Sequence, residues 1–422
     1  MRAQMRLRTS ILMLFVCGPA WAADSWTTPY PGIQHLYRTD ATPNHIHAIK
    51  VDLTAATIRL HATKTADRQK TVSAFAAQYG CVVATNADFF SYQGYGTIGL
   101  AVGATERWPN STDTADEGTV AIGRDNRIEI SLPQDIVDPP ADWMSEVVSG
   151  HPLLVDGGVV SADTNCTTSF CNRNPRTAAG LSQDGHTLFL VVVDGRSTVS
   201  LGMSLRELAD LMVELGAWRA LNLDGGGSST LFVANEGGVQ NTPSDGMERV
   251  VGNHLGVAVV DPFGTLKGYV REDAITNTAG PIAGATVMLS TGQMATTDAN
   301  GLYSIAQVPR GDVTIAVMAT GFDDASRAVF VAAGDTSWGS VALHHPMVMP
   351  DGGTADAAAA DAAGGGAGGG GAGGAGGSPG NGDTPVDTGG GCTLAASAPT
   401  PPLWLLILLP LCATRRLRSR RH

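Results

Sequence analysis

The sequence predicts a mixed α/β, or α+β, domain with a central sheet, followed by a small all-β sandwich. Three observations predict it. The run Thr187 to Val193, TLFLVVV, has the length and β-branched content of a buried strand. Two segments each pass from an amphipathic helix through a glycine stop into a further apolar strand. Beyond Gly264 the helical periodicity gives way to short alternating segments separated by turn residues.

The chain of 422 residues is long enough for two or three domains. It opens with Arg2, Arg6 and Arg8, an apolar run from Ile11 to Val16, and Ala20-Trp21-Ala22. This is the three-part pattern of a secretory leader over residues 1–22, so the chain is expected to be exported. The first large unit is expected over 24–262. In it, Thr71 caps a helix that Gly80 ends, and CVVAT leads to a tip holding Asn86, Asp88, Phe89 and Phe90. The strand HIHAIKVDL places His45 and His47 on one face, where solvated histidines are favoured over a two-histidine metal site. Further on, Ser204 and Glu207 have capping-box spacing. Leu205, Leu208, Leu211, Met212 and Leu215 form one apolar stripe, Gly216 stops the helix, and ALNL is the next strand. Three strands end in polar tips, at Asn86, Asp194 and Asp224, which suggests one pocket along a common sheet edge.

The tip after ALNL is the most distinctive stretch. Asp224 is followed by Gly225, Gly226 and Gly227, then Ser228 and Ser229. Glycines let the backbone approach a ligand, successive N–H groups can cradle an anion, and the serine hydroxyls could complete that cradle. No GxGxxG opens a helix and no lysine follows the glycines, which excludes a dinucleotide or nucleoside triphosphate loop.

A second unit is expected over 264–345, as an antiparallel β-sandwich. From about Pro350 to 391 the composition collapses into Gly and Ala, a flexible linker. The end, 392–422, has Gly391-Cys392, a ten-residue apolar run and five arginines. Ten residues are short for a bilayer, which takes about 20. Three of the 27 basic residues lie in the leader and five in this tail; 19 remain against 39 acids, a formal charge of −20 that disfavours nucleic acid as a partner. Of six cysteines, Cys17, Cys392 and Cys412 belong to the ends. Cys166 and Cys171 can close a small disulfide loop in an oxidising compartment, which leaves Cys81 as a thiol. No CxxC or HExxH signals zinc.

Several motifs carry a resemblance: NADFF from Asn86, SGHPLLVDGG from Ser149, NPRTAAGL from Asn174, VVVDGR from Val191, NLDGGGSSTL from Asn222 and RVVGNHL from Arg249. Their combination and order resemble the phosphodiester glycosidase family over roughly residues 45 to 260. Asp88 departs from the pattern, in which glycine is common. The segment after Gly264, with PIAGATV, TTDANGLYSI and VPRGDVTIAV, resembles the carboxypeptidase regulatory-like domain, which implies a transthyretin-like fold and an accessory role. The end of the chain resembles a myxobacterial-type C-terminal sorting tag, implying attachment to the cell envelope; a tail anchor is the alternative.

The first resemblance implies hydrolysis of the bond between a sugar's anomeric carbon and a phosphodiester oxygen. Arg176 is then the expected phosphate ligand, converging with Asp224 and assisted by Gly225, Gly226, Gly227, Ser228 and Ser229, with Arg196 beside them. Asp194 and Asp224 are the carboxylate candidates for acid, base or nucleophile, and His254 is a further acid/base candidate. Asn86, Asp88 and Asn222 are expected to meet sugar hydroxyls, and Phe89 or Phe90 a sugar face. No cofactor is required, and Asp194 with Asp224 is compatible with a divalent cation. The substrate is expected to be a sugar phosphodiester or polysaccharide. The alternatives are a glycan-binding module without catalysis and a glycoside hydrolase of unphosphorylated polysaccharide.

Overall fold

The computed structural model describes residues 24–109, 117–135, 139–275 and 279–346. The leader, the Gly/Ala linker and the C-terminal tag lie outside these residues. Among those described, no helix is long and apolar enough to cross a membrane.

The first unit is mostly β, with helix a smaller part than the expected mixed α/β or α+β domain suggests. Its largest sheet has eight strands, in the order Ser25–Tyr30, Ile33–Thr39, His45–Asp52, Thr187–Val193, Arg176–Leu181, Arg219–Asn222, Leu153–Asp156 and Val159–Val160. Every neighbouring pair in it is antiparallel. The reason is visible in Thr187–Val193. Leu188, Leu190 and Val192 enter one core, whereas Phe189, Val191 and Val193 enter another. A strand buried on both faces reads as a continuous apolar run whatever the direction of its neighbours.

One face of this sheet packs on helix α2, Leu205–Leu215. Ser204 caps it, Glu207 closes the capping box, and Gly216 ends it at φ 104°. Leu205, Leu208, Leu211, Met212 and Leu215 are buried there. The other face shares its core with two five-stranded sheets. One contains Met144–Gly150 between Val102–Gly103 and Gly118–Gly123; the other contains Cys81–Asn86 between Leu231–Val233 and His254–Val259. Helix α1, Val72–Tyr79, is capped by Thr71 and ended by Gly80 at φ 65°.

The three polar tips therefore do not lie along a single sheet edge. Cys81–Asn86 belongs to a different sheet from Thr187–Val193 and Arg219–Asn222. The tips meet across the two sheets, where the Asp224 N–H donates to Ala87 O at 2.8 Å.

Residues 263–343 form two four-stranded sheets around their own core, including Leu266, Val270, Tyr303, Ile315 and Val317. Charged contacts bind this part to the first: Arg59 pairs with Asp335 at 2.9 Å, and Arg310 donates to Ala55 O at 3.0 Å and to Asp125 O at 2.5 Å.

Candidate active site

The glycine loop leaves the strand Arg219–Asn222 and makes one 3-10 turn, Gly226–Ser228. Its N–H groups are largely spent on its own geometry. Gly226 donates to Pro175 O at 2.9 Å, Ser228 to Gly225 O at 3.2 Å and Ser229 to Gly226 O at 3.3 Å. The expected backbone cradle is thus replaced by side chains that the glycines admit. A Cβ on Gly226, whose φ is 62°, would come within 2.9 Å of Arg196 Nη2. A Cβ on Gly227 would collide with Arg249 and with the Asp245 carboxylate. Two guanidinium groups therefore lie against this loop. Arg196 is exposed and reaches Asn174 Oδ1 at 3.2 Å. Arg249 is held by Asp245 at 2.6 Å and donates to Ser228 Oγ at 3.2 Å.

Asp224 is half-buried at the start of the loop. Burial pushes its carboxyl up to about 6, against the Ser228 hydroxyl, the Arg249 charge and the Gly225 N–H, which favour the ionised form. Arg249 and His151 are the basic neighbours that act on it. Within its electrostatic reach is Asp88, 1% exposed, whose Oδ1 accepts from the Ser149 N–H at 2.8 Å while Oδ2 has no partner. Burial, reinforced by the nearby Glu117 and Asp224 carboxylates, raises Asp88 well above the usual carboxylate range. Glu117, also 1% exposed, contacts His151 Nδ1 through Oε1 at 2.5 Å, and its Oε2 has no partner.

Other expected site residues brace this arrangement. Asn86 donates to Asp224 O at 2.6 Å and accepts from Thr177 Oγ1 at 2.9 Å and the Thr230 N–H at 3.2 Å. Asn222 donates to His151 O at 2.6 Å, and its buried Oδ1 has no partner. Ser229 accepts from Thr177 Oγ1 at 3.2 Å. Phe89 stacks on His151 at 4.5 Å between centroids, and Phe90 stacks on Tyr95 at 5.5 Å.

Three residues take places other than those expected. Arg176 is 2% exposed, and its guanidinium donates to Met203 O at 2.9 Å and to Phe170 O and Asn172 O at 2.7 Å. A guanidinium spent on three carbonyls is a brace, and the arginine beside Asp224 is Arg249. Burial depresses the Arg176 guanidinium to about 10. Asp194 accepts from Asn241 Nδ2 at 3.1 Å and the Thr242 N–H at 2.8 Å, with His45 at 3.8 Å. Burial raises it, and its hydrogen-bond partners differ from those of Asp224. The carboxylate that feels the Asp224 charge is Asp88. His254 is fully buried, with Nε2 donating to Lys70 O at 3.1 Å, Nδ1 accepting from Thr63 Oγ1 at 2.9 Å, and its ring stacked on Phe75 at 4.7 Å. Burial lowers it to about 3, so it stays neutral and has no free nitrogen for proton transfer.

His47 is buried too, and its Nδ1 meets His35 Nε2 at 3.1 Å, so the solvated strand histidine there is in fact packed. Among the described residues no group of three or more His, Cys, Asp or Glu side chains is placed to hold a metal ion. A disulfide joins Cys166 to Cys171, and Cys81 is a buried thiol.

Arg249, His151 and Asn253, whose Oδ1 accepts from the Asp88 N–H at 2.8 Å, lie inside motifs that the sequence singles out, but nothing there assigns them to Asp224 and Asp88. Glu117 lies in no motif. Only its burial against His151 brings it to notice.

Residues 79–258 match the sequence profile of the phosphodiester glycosidase family, and residues 265–344 that of the carboxypeptidase regulatory-like domain. The mouse N-acetylglucosamine-1-phosphodiester alpha-N-acetylglucosaminidase is 30% identical over 192 residues, which cover 42% of this chain and 36% of the mouse protein. The human protein of that name is 29% identical over 195 residues, 43% of this chain and 37% of its own length. The chain therefore spans little more than a third of these relatives. The structure of the catalytic domain of the zebrafish protein of that name aligns with 54% of this chain and 82% of its own at a TM-score of 0.45 and 22% identity. The chain thus carries a phosphodiester glycosidase domain over residues 79–258 and a carboxypeptidase regulatory-like domain over residues 265–344.

Proposed function

We propose that this protein hydrolyses sugar-1-phosphodiesters, with GlcNAc-1-phosphodiester as the reference substrate, in envelope or extracellular glycans. One observation carries the reading. Asp224, a half-buried carboxyl with its ordinary value displaced to about 6, stands beside a loop whose glycines admit Arg196 and Arg249. Two guanidinium groups suit the phosphodiester, since each can bond two phosphate oxygens. Ionised Asp224 then faces the anomeric carbon and stabilises the positive charge that develops there. The departing group is a phosphomonoester, whose second ionisation lies near pH 6, so it leaves with little need for protonation.

Purified full-length chain incubated with the methyl ester of GlcNAc-1-phosphate tests this. Release of methyl phosphate, abolished by Asp224→Asn, is the expected result. Binding without turnover, unchanged in Asp224→Asn, would replace the enzyme by a glycan-binding module. Equal turnover of a methyl glycoside lacking phosphate would point to an ordinary glycoside hydrolase.

The leader and tail patterns support export and attachment to the outer envelope, which cell fractionation tests. The units 24–262 and 264–345 act, on this reading, as enzyme and accessory transthyretin-like module.

A further inference from the structure

The Glu117–His151 pair has the arrangement of a proton-transfer couple. Its acid is buried to 1% exposure and meets the ring nitrogen Nδ1 at 2.5 Å. The imidazole is half-buried, with 35% of its side chain open. Among the described residues its Nε2 has no hydrogen-bond partner. The ring plane is held by stacking on Phe89 at 4.5 Å and by Phe170 at 5.1 Å. The backbone is held as well, because His151 O accepts from Asn222 Nδ2 at 2.6 Å. A carboxylate on Nδ1 selects the tautomer with a lone pair on Nε2 and stabilises the imidazolium once formed. An ion pair serving only the fold would not need an open second nitrogen, nor a ring clustered with Phe89 and Phe170 within electrostatic reach of Asp224.

Building on the reading above, we propose that His151 is the general base that takes the proton from the attacking water, with Glu117 as its positioning residue. In the step, the water oxygen bonds to the anomeric carbon. The bond from that carbon to the phosphodiester oxygen breaks, and its electron pair leaves on the phosphomonoester. The water proton passes to His151 Nε2 and from there to solvent or to the departing phosphomonoester. The titratable and charged groups around the imidazole are Glu117 on Nδ1 and Asp224, which also feels Arg249, together with Asp88, which feels both Glu117 and Asp224. Asp224 must be ionised and His151 unprotonated, so two protonations suppress turnover as the pH falls.

The test is the pH profile of kcat for the methyl ester of GlcNAc-1-phosphate, on full-length wild type, His151→Gln and Glu117→Gln. Positioned proton transfer contributes roughly 100-fold or more, so His151→Gln should lose about that factor in kcat with KM within about threefold. The acidic limb of log kcat should approach a slope of two in wild type and one in His151→Gln. Glu117→Gln should lower kcat with KM within about threefold, because the imidazole loses the group that fixes its tautomer and orientation. A thermal midpoint for each variant, measured without substrate, reports folding separately. If folded His151→Gln retains the wild-type kcat or the wild-type slope, the assignment is wrong while the hydrolase reading stands. If wild type itself releases no methyl phosphate, both are wrong.

Discussion

Gly227 and Arg249 exclude any side chain at position 227: a methyl group there would occupy the space filled by the guanidinium and its Asp245 partner. The triglycine is therefore needed less for its backbone freedom than for the arginines it lets approach. A charge-assisted hydrogen bond contributes about 1.5–3 kcal/mol, and about 1.4 kcal/mol is tenfold in binding. Arg249→Ala should thus lower kcat/KM for the phosphodiester by roughly 10–100-fold. Gly227→Ala should do the same by displacing Arg249. Steady-state kinetics on both check this, and an unaltered kcat/KM in Arg249→Ala would remove that guanidinium from the phosphate site.

Asp224 ties function to stability. Its folded value near 6 exceeds the ordinary 3.8, so between those pH values the folded chain holds a proton that the unfolded chain has released. The fold is unpenalised below that window and loses stability as the pH rises through it. Asp224→Asn should therefore stabilise the protein above pH 6, by at most about 3 kcal/mol, while abolishing turnover. The gain should fade towards pH 4. Urea midpoints at pH 4 and pH 7 measure it, and equal shifts at both would contradict the buried-carboxyl account.

Arg176 should behave as a brace. Removing its guanidinium leaves Phe170 O without a donor, whereas Met203 O keeps the Asn174 N–H and Asn172 O keeps Asn174 Nδ2; a buried unsatisfied group costs about 1–3 kcal/mol. Arg176→Met should lower the urea midpoint by an amount equivalent to about 1–3 kcal/mol. The folded fraction should keep its KM within about threefold. A large rise in KM at unchanged stability would return Arg176 to the phosphate.

His254 gives the complementary test. Both of its ring nitrogens are engaged and the ring is stacked on Phe75. His254→Gln can keep one donor and one acceptor but not the stacking, and should cost about 2 kcal/mol of stability. Turnover per folded molecule should stay within about threefold, whereas loss of an acid/base group costs roughly 100-fold or more.

Much of the local structure is legible in the chain because it depends on near neighbours. The capped helices at Thr71 and Ser204, their glycine stops at Gly80 and Gly216, and the apolar stripe of α2 are short-range patterns. The motif around Asp224 is equally visible, since an acid before three glycines has no ordinary packing role. Strand direction is not, because Thr187–Val193 is buried on both faces and carries no alternation to reveal its neighbours.

The sequence by itself determined the domain families, the capped helices and the glycine loop with its acid. Tertiary structure alone decided which charges surround that acid. Arg176 and Arg249 are the same residue type in equally conspicuous motifs, yet one is spent on three carbonyls and the other stands beside Asp224. The physical reason is that a charged side chain's role is set by what desolvates and pairs it. Those partners come from strands far apart in the chain, as when Asp88, Glu117 and Asp224 come to share one buried environment.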